Sequence, residues 1–157
     1  MPDVTVRPAV IEDAAVIEAT LREADRDELL ASTHVKDHRK VIADSIRTSC
    51  AAWTAECDGV PIAVFGVSPI SIMGGVGSPW LLGNEGCDRV IVPFVRLTRV
   101  YIPVMLSLFP VLENMVDARN KKSARWLKRL GFQFHDPEPH PYSGMPFQKF
   151  EMRSGNV

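Results

Sequence analysis

The sequence has few cysteines, and those it has form no recognisable pattern. Cys50, Cys57 and Cys87 are odd in number and include no CxxC pair. A disulfide framework needs cysteines in pairs and a zinc ribbon needs closely spaced pairs, so neither is expected. This cysteine usage is typical of the reducing cytoplasm, which we predict as the location of the protein in the cell that makes it.

The chain also lacks an excess of charge of either sign. Its 18 Lys and Arg residues stand against 19 Asp and Glu residues, giving a formal net charge of -1. Such a chain has no overall field that attracts nucleic-acid phosphates or an anionic membrane, so nucleic acid is not expected as a partner. A local basic cluster is interpreted as a solvated helix face or a contact to a cofactor phosphate: Lys121, Lys122, Arg125, Lys128 and Arg129.

Neither a secretory signal nor a membrane-spanning helix is predicted. Residues Met1 to Arg7 include an acid and a proline and contain no apolar run. The uncharged stretch from Gly59 to Asn84 is long enough to cross a bilayer. Prolines and glycines divide it into pieces too short for a spanning helix, so we interpret it as buried strands and turns. These residues are Pro61, Gly66, Pro69, Gly74, Gly75, Gly77, Pro79 and Gly83.

The sequence does have the composition of a globular protein. Of its 157 residues, 46% are hydrophobic and 24% are charged. This length and composition suit one domain with a core of useful size. We therefore predict a single domain over residues 1–157.

The first half of the chain predicts a strand, two helices and a hairpin. A β-type run at Val4–Arg7 precedes apolar residues at helical spacing between Ala14 and Ala24. A second helix is predicted over Val35–Ser49, with Ser32 or Thr33 as its cap. The dipeptide Asp58-Gly59 suits the positive φ angles of a two-residue hairpin turn, and the β-branched run Val60–Val67 follows it.

The second half predicts a short central strand, Trp80–Gly83, followed by a largely buried helix that starts near Pro93 and is kinked or shortened by Pro103. A strand and a basic helix come next, the helix ended by Gly131 in its C′ position. Two closing strands flank a proline-rich loop. The strand is predicted over Val111–Val116 and the basic helix over Lys121–Leu130. The closing strands are predicted over Phe132–Phe134 and Phe147–Met152, and the loop between them over Asp136–Pro146.

Few residues are candidates for chemistry on sequence grounds alone. His34 and His38 have metal-ligand spacing but no evident third ligand, so no metal is predicted. Cys57 and Cys87 have no identifiable base beside them, which favours structural cysteines over nucleophiles. The acids considered as general bases are Glu56 and Glu85, and neither has an identifiable perturbing neighbour. No catalytic residue is predicted.

Two segments carry a resemblance to a known family. Val4–Ala9 with Glu12–Ala14 resembles the opening of the GNAT acyltransferase superfamily, and Asn120–Phe132 resembles its late helix. The resemblance implies an α/β fold with a mixed, mostly antiparallel central sheet flanked by about four helices. It also implies an acyl-CoA cleft between two splayed strands. The residues expected there are Trp80, Leu81 and Leu82 on one wall, with Asn120 and Ser123 on the other.

Two departures from the family pattern weaken this expectation. The Gly-rich turn that receives the cofactor diphosphate is missing from Gly86–Arg99, although Arg96 or Arg99 could supply charge. Leu127 stands where many members have a tyrosine that protonates the leaving thiolate, and leucine has no proton to donate. Binding of acetyl-CoA is therefore expected to be weak or lost.

Three short motifs resemble a phage-encoded branch of the superfamily similar to an internal virion protein of T7-like podoviruses. They are Ser78–Gly83, Val116–Asn120 and Pro141–Phe147. The resemblance implies a role in virion assembly, with phage virion proteins as partners. The alternative is an active acetyl-CoA-dependent N-acetyltransferase with an unknown amine acceptor, which requires a cleft not filled by Phe94, Tyr101 or Trp126.

Overall fold

An eight-stranded open sheet with helices on both faces forms the molecule in the computed structural model, which describes residues 2–155. The strands are β1 (Val4–Pro8), β2 (Ala51–Cys57), β3 (Val60–Ser71), β4 (Val76–Gly83), β5 (Val111–Asp117), β6 (Gln133–Phe134), β7 (Glu138–Pro139) and β8 (Pro146–Arg153). The helices are α1 (Asp13–Ala19), α2 (Glu23–Ser32), α3 (His38–Thr48), α4 (Glu85–Arg89), α5 (Ile91–Arg99), α6 (Tyr101–Leu108) and α7 (Lys121–Leu130).

The middle of the sheet opens between β4 and β5. The strand order is β1-β2-β3-β4-β5-β8-β6, with β7 paired to β8, and neighbours are antiparallel except β4 and β5. These two parallel strands pair only at Val76 with Val111 and at Gly77 with Leu112. Beyond these pairs the strands diverge. The predicted mixed, mostly antiparallel sheet with two splayed strands is therefore confirmed.

The two faces of the sheet bury separate cores. The larger core lies under α5, α6 and α7, and the smaller core lies under α1 and α3. Because side chains alternate along a strand, Leu81 packs toward the larger core while Trp80 and Leu82 pack toward the smaller one. The opening between β4 and β5 thus joins the two faces.

The helix predicted over Ala14–Ala24 is two helices, α1 and α2. Between them, Leu21 forms a β-bridge with Asn84, and the Arg22 amide donates to the Gly83 carbonyl at 3.0 Å. No described strand pairs with the end of β4 on the side facing Leu21 and Arg22. The unpaired backbone groups of β4 therefore bond these two residues, which interrupts the helical hydrogen bonds between α1 and α2. As a result α2 reaches the opening in the sheet.

The next helix begins later than predicted. It starts at His38, and its cap is Asp37, whose carboxylate accepts from the Lys40 amide at 3.1 Å. Ser32 instead ends α2 and Thr33 is its C-cap. Because His34 precedes α3, His34 and His38 do not share a helix face.

The predicted hairpin is confirmed. Asp58 and Gly59 connect β2 and β3 with φ angles of 51° and 81°, the left-handed values that this turn requires. Gly131 likewise ends α7 with a φ of 105°.

The predicted helix after β4 is two segments, α5 and α6, and an unpredicted short helix, α4, precedes them. These additions account for part of the excess over about four helices. The segments α5 and α6 break at Val100, and Pro103 lies in the first turn of α6. By length and composition alone, Ile91–Leu108 could cross a membrane. Its buried residues, including Phe94, Ile102 and Met105, belong to the larger core.

Candidate active site

A cleft of about 300 Å³ occupies the opening between β4 and β5. From one face of the sheet, α2 and α3 line it with Asp25, Glu28, Leu29, Ser32, Val41 and Ser45. From the other face, α5, α6 and α7 line it with Thr98, Ile102, Met105, Ser123, Trp126, Leu127 and Leu130. Two bound molecules that enter from opposite faces could therefore meet within the sheet.

The edge of β4 offers one free pair of backbone groups to this cleft. The Pro79 carbonyl accepts from Asn114 Nδ2 at 2.8 Å, and the Gly83 amide donates to Asp25 Oδ2 at 3.0 Å. Because residues two apart along a strand face the same edge, the N–H and C=O of Leu81 also point into the opening. Within residues 2–155 neither group meets a partner. An extended ligand with amide groups could bond both.

The other predicted cofactor residues lie around this edge. Trp80 lines the cleft and donates its indole Nε1–H to Ser49 Oγ at 2.8 Å, on the face under α3. Leu82 is buried in the smaller core, although it borders the cleft. Ser123 lines the cleft from α7. Asn120 is buried at the start of α7 and does not line it.

A buried carboxylate, Asp25, joins three elements at the C-terminal end of β4, away from the paired end of the opening. Arg22 binds it through Nε and Nη2, with distances from 2.8 to 3.1 Å. The Gly83 amide donates to one of its oxygens, and Asn120 Nδ2 donates to the other at 3.3 Å. Asn120 also caps α7 by accepting from the Ser123 amide. This ion pair and its hydrogen bonds fix α2 against β4 and α7.

One helical turn further along α2, Glu28 faces the cleft. Its Oε1 accepts from the Asp117 backbone amide at 2.8 Å. Burial, with repulsion from Asp25 and Asp117, raises the pKa of this carboxyl to about 7 against the lowering effect of its hydrogen bonds. No cationic side chain of the described chain forms an ion pair with it. A carboxyl with this pKa can accept a proton near neutral pH, as a general base must.

The carboxylate of Asp117 is already paired. Arg119 binds it through Nε and Nη2, with the shortest contact at 2.6 Å. Burial raises the pKa of Asp117, but hydrogen bonds from Arg119 outweigh that effect and hold the pKa below its ordinary value. Asp117 therefore stays ionised and compensated while Glu28 lacks a compensating cation.

The three aromatic residues that could have closed the cleft leave it open. Tyr101 packs against Trp53 and Phe65, with ring centroids 4.8 and 5.5 Å away. Phe94 stacks on Trp126 at 5.8 Å, and Trp126 forms a wall of the cleft. Leu127 is a second wall residue, so the position aligned with the family tyrosine does face the cleft.

A second cavity of about 200 Å³ lies beside α7. Its basic residues are Arg22, Lys122, Arg125 and Arg129. The turn after β4 gives it no free backbone nest, because Asn84 caps α4 by accepting from the Gly86 amide at 2.9 Å and acids occupy the first turn. Positive charge near the cleft therefore comes from helix side chains. Arg96 is exposed, and Arg99 donates to the Arg129 carbonyl.

The acids and cysteines considered from the sequence lie elsewhere. Glu56 pairs with Arg7 at 2.7 Å, and Glu85 is exposed at the start of α4. Neither lines the cleft. Cys87 is buried, and burial raises the pKa of its thiol to about 12, which disfavours the thiolate. Burial also raises the pKa of Cys57, with a contribution from Asp58.

The two histidines also lie apart. The His34 ring contacts Tyr142 of the proline-rich loop at 4.8 Å, whereas His38 is buried near Arg26. Across residues 2–155, no group of three or more His, Cys, Asp or Glu side chains could hold a metal ion.

Glu28 was not among the candidates from the sequence. The pattern Arg22, Asp25, Glu28 places three charged side chains on one side of a helix that begins near residue 23. That signal could be read only after the break at Leu21 is known, because Asp25 and Glu28 belong to α2, a helix separate from the predicted Ala14–Ala24 helix.

The chain is similar to known proteins in its fold but not in its sequence. No family model and no curated protein sequence matches the chain. Among solved structures, an acetyltransferase of the GNAT family from Streptococcus pneumoniae superposes with a TM-score of 0.66 at 12% identity, covering 96% of this chain and 99% of that one.

Two further neighbours were solved with coenzyme A. An aminoglycoside acetyltransferase has a TM-score of 0.67 at 17% identity, covering 98% of this chain and 96% of its own. A ribosomal-protein α-N-acetyltransferase has a TM-score of 0.68 at 11% identity, with the same two coverages of 98% and 96%. The chain therefore has the fold of the GNAT acetyltransferases.

Proposed function

We propose that this chain, as one domain over residues 1–157, is an acyl-CoA-dependent N-acyltransferase with Glu28 as its general base. The observation that carries the proposal is the placement of Glu28, with a pKa near 7, in an open cleft bordered by the free backbone groups of Leu81. A catalytic base and a strand edge suited to an amide-bearing arm thus share one space.

The residues present fit the arm of the cofactor better than its diphosphate. The N–H and C=O of Leu81 would bond the amides of the pantetheine arm, with Ser123 on the facing wall. The diphosphate would rest on side-chain cations of α7, such as Arg125 and Arg129, because Lys122 pairs with Asp88 and the α4 start offers no free nest. Side chains are less preorganised than backbone amides, so we expect weaker binding than such a nest gives.

When bound, acyl-CoA supplies the acyl group as a thioester, and acetyl-CoA is the expected form. Glu28 would take a proton from the ammonium of the acceptor, directly or through one water, and leave its nitrogen lone pair free to attack. A C–N bond forms as the C–S bond breaks. Leu127 has no proton to give, so the second proton lost by nitrogen reaches the thiolate through solvent.

Calorimetric titration with acetyl-CoA is the first test, because it needs no acceptor. We expect binding with a dissociation constant of about 10–100 μM, weakened by the missing nest. Absence of binding at about 1 mM would overturn the proposal.

The role of Glu28 is tested separately by following thiol release with amine acceptors. Glu28→Gln should lower kcat by about 100-fold, in the range of general-base effects, while leaving acetyl-CoA binding unchanged. Glu85→Gln is the matched control, since Glu85 is exposed outside the cleft. Equal loss in both variants would refute the role of Glu28.

The virion role implied by the three short motifs is a separate proposal. It is supported by those motifs alone, and none of the neighbours named above is described as a virion protein. Mass spectrometry of purified particles from a phage that encodes this chain would test it, and absence of the chain from the particles would count against it.

A further inference from the structure

We infer that the acceptor is a primary amine carrying one positive charge on an apolar body. The inference rests on the proposed function, because it concerns the molecule that meets Glu28 in the same cleft. It goes further by assigning a chemical class to that molecule, and it is carried by the charges and walls on the α2 and α3 side of the sheet.

The charge count on this side leaves one uncompensated carboxylate. Arg22 neutralises Asp25 in a buried pair, and Arg119 neutralises Asp117. Of the three neighbouring carboxylates, Asp25, Asp117 and Glu28, only Glu28 has no cationic partner in the part of the chain that the structure describes. Above about pH 7 it carries a negative charge that one ammonium group would balance.

The walls around this charge are mainly apolar. Leu29 and Val41 line the cleft from α2 and α3, Met115 lines it from β5, and Phe147 lines it from β8. The α2 and α3 side also has the hydroxyls of Ser32 and Ser45 and the carboxylate of Asp25, which is paired with Arg22. His140 borders the cleft beside Phe147, with ring centroids 4.6 Å apart. A pocket of this kind gains most of its affinity from burying an apolar body and its orientation from a single polar contact.

The same arrangement disfavours two other kinds of amine. A free amino acid would bring a carboxylate, but no described Lys or Arg lines this cleft, and Arg22 and Arg119 are already paired with Asp25 and Asp117. A polyamine would bring a second ammonium group into a space with one uncompensated acid. Each would leave a charge desolvated without a partner, which opposes binding.

Three probes test this inference on the protein without cofactor: 2-phenylethylamine, L-phenylalanine and spermidine. The first has one charge and an aromatic body, the second adds a carboxylate, and the third adds charges and removes the ring. Calorimetry at about pH 8 should show 2-phenylethylamine binding at least about tenfold more tightly than either of the others. Equal or tighter binding of L-phenylalanine or spermidine would overturn the inference.

Two variants show whether Glu28 is the group recognised. Glu28→Gln should weaken 2-phenylethylamine binding by about tenfold or more, because it removes the charge and keeps the side-chain shape. Glu23→Gln is the control, since Glu23 is an exposed acid on the same helix. Unchanged binding in Glu28→Gln would contradict the inference whatever the outcome with acetyl-CoA.

Failure of the inference and failure of the proposed function give different results. If the chain binds acetyl-CoA and transfers its acyl group to spermidine but not to 2-phenylethylamine, the inference is wrong and the function stands. If 2-phenylethylamine binds through Glu28 while acetyl-CoA does not bind, the amine site stands and the transferase function is wrong.

Discussion

At the scale of single residues, the chemistry of the cleft depends on how three carboxyl groups of similar type are compensated. Asp25 has an arginine and two N–H donors, and Asp117 has an arginine. Glu28 has a backbone amide but no cation. Glu28 is therefore the one carboxyl of the three whose desolvation no cation of the described residues offsets, and it can exchange a proton near neutral pH.

The pH dependence of catalysis should follow Glu28. The base must be ionised to accept a proton, so kcat/KM should rise with pH and level off above about pH 7. The measurement is initial rates of thiol release with saturating acetyl-CoA across the pH range. A profile that stays flat through pH 6 to 8, or that keeps its inflection in Glu28→Gln, would assign the proton to another group.

Glu28 should also lower the stability of the protein at alkaline pH. Its pKa is raised from 4.5 to about 7 on folding, so the native state holds its proton over a range where the unfolded state has lost it. Stability contributed by the neutral form is present below about pH 4.5 and is lost as pH rises toward 7.

Glu28→Gln should remove this pH-dependent loss. We expect the variant to be more stable than the parent at about pH 8, by on the order of 1–3 kcal/mol, and similar at about pH 4. Urea unfolding at the two pH values measures the difference. A variant that is less stable at pH 8 would show that the carboxylate is compensated in the native state.

Asp13 shows the opposite sign. Burial opposes its ionisation, but hydrogen bonds from Arg7, Thr54 and the Val10 amide hold its pKa below the ordinary value. Its contribution to stability is therefore present above the unfolded pKa near 3.8 and is lost as pH falls through the lower native value.

Replacing Asp13 by Asn should destabilise the protein by about 2 kcal/mol at neutral pH, because the Arg7 ion pair and its hydrogen bonds are weakened. The difference from the parent should shrink in acid. Glu12→Gln, at an exposed neighbour, is the control. Equal destabilisation at about pH 3 and 7 would point to lost packing instead of lost charge.

At the scale of secondary-structure elements, the outward edge of β4 determines what the cleft can bind. Along this edge the Pro79 carbonyl accepts from Asn114, and the backbone groups of Gly83 bond Arg22 and Asp25. The backbone groups of Leu81 bond no described residue. Pro79 faces the same edge as Leu81 and, as a proline, has no N–H to donate there. The strand thus already accommodates one proline at this edge.

Leu81→Pro should therefore weaken acetyl-CoA binding without unfolding the sheet. The substitution removes an N–H that faces the opening and leaves the ladder between β3 and β4 intact, so the loss should be about 3- to 10-fold in affinity, typical of one hydrogen bond. Leu81→Ala is the control for the lost side chain. Circular dichroism checks the fold, and unchanged affinity in a folded Leu81→Pro variant would exclude the backbone contact.

Local patterns in the sequence predicted the elements whose causes are local. The Asp58-Gly59 turn, the Gly131 cap and the position of Pro103 all follow from backbone preferences of a few residues. The break at Leu21 could not be predicted in this way, because its cause is hydrogen bonding to Gly83 and Asn84, far along the chain.

The candidate site was predictable to a similar extent. The resemblance predicted a cleft between two splayed strands with Trp80–Leu82 on one wall, and a cavity lies there in the structure. The general-base candidates considered from the sequence, Glu56 and Glu85, lie outside this cavity. Glu28 acquires its properties from Asp25 and Asp117, and the second of these comes from the opposite half of the chain. A pKa that depends on such a contact cannot be derived from spacing alone.

At the scale of the whole molecule, the sheet has two parts, one formed by β1 to β4 and the other by β5, β8 and β6, and β4 and β5 connect them through only two residue pairs. The hydrogen bonds of Asp25 to Gly83 on β4 and to Asn120 at the start of α7 are a second connection across the opening. A ligand bound in the opening would contact both parts of the sheet and reduce their local unfolding. Acetyl-CoA should therefore slow amide hydrogen exchange in β5 and β8 as well as at Leu81. Slower exchange confined to the amides of β4 would mean that the two parts of the sheet already move as one body.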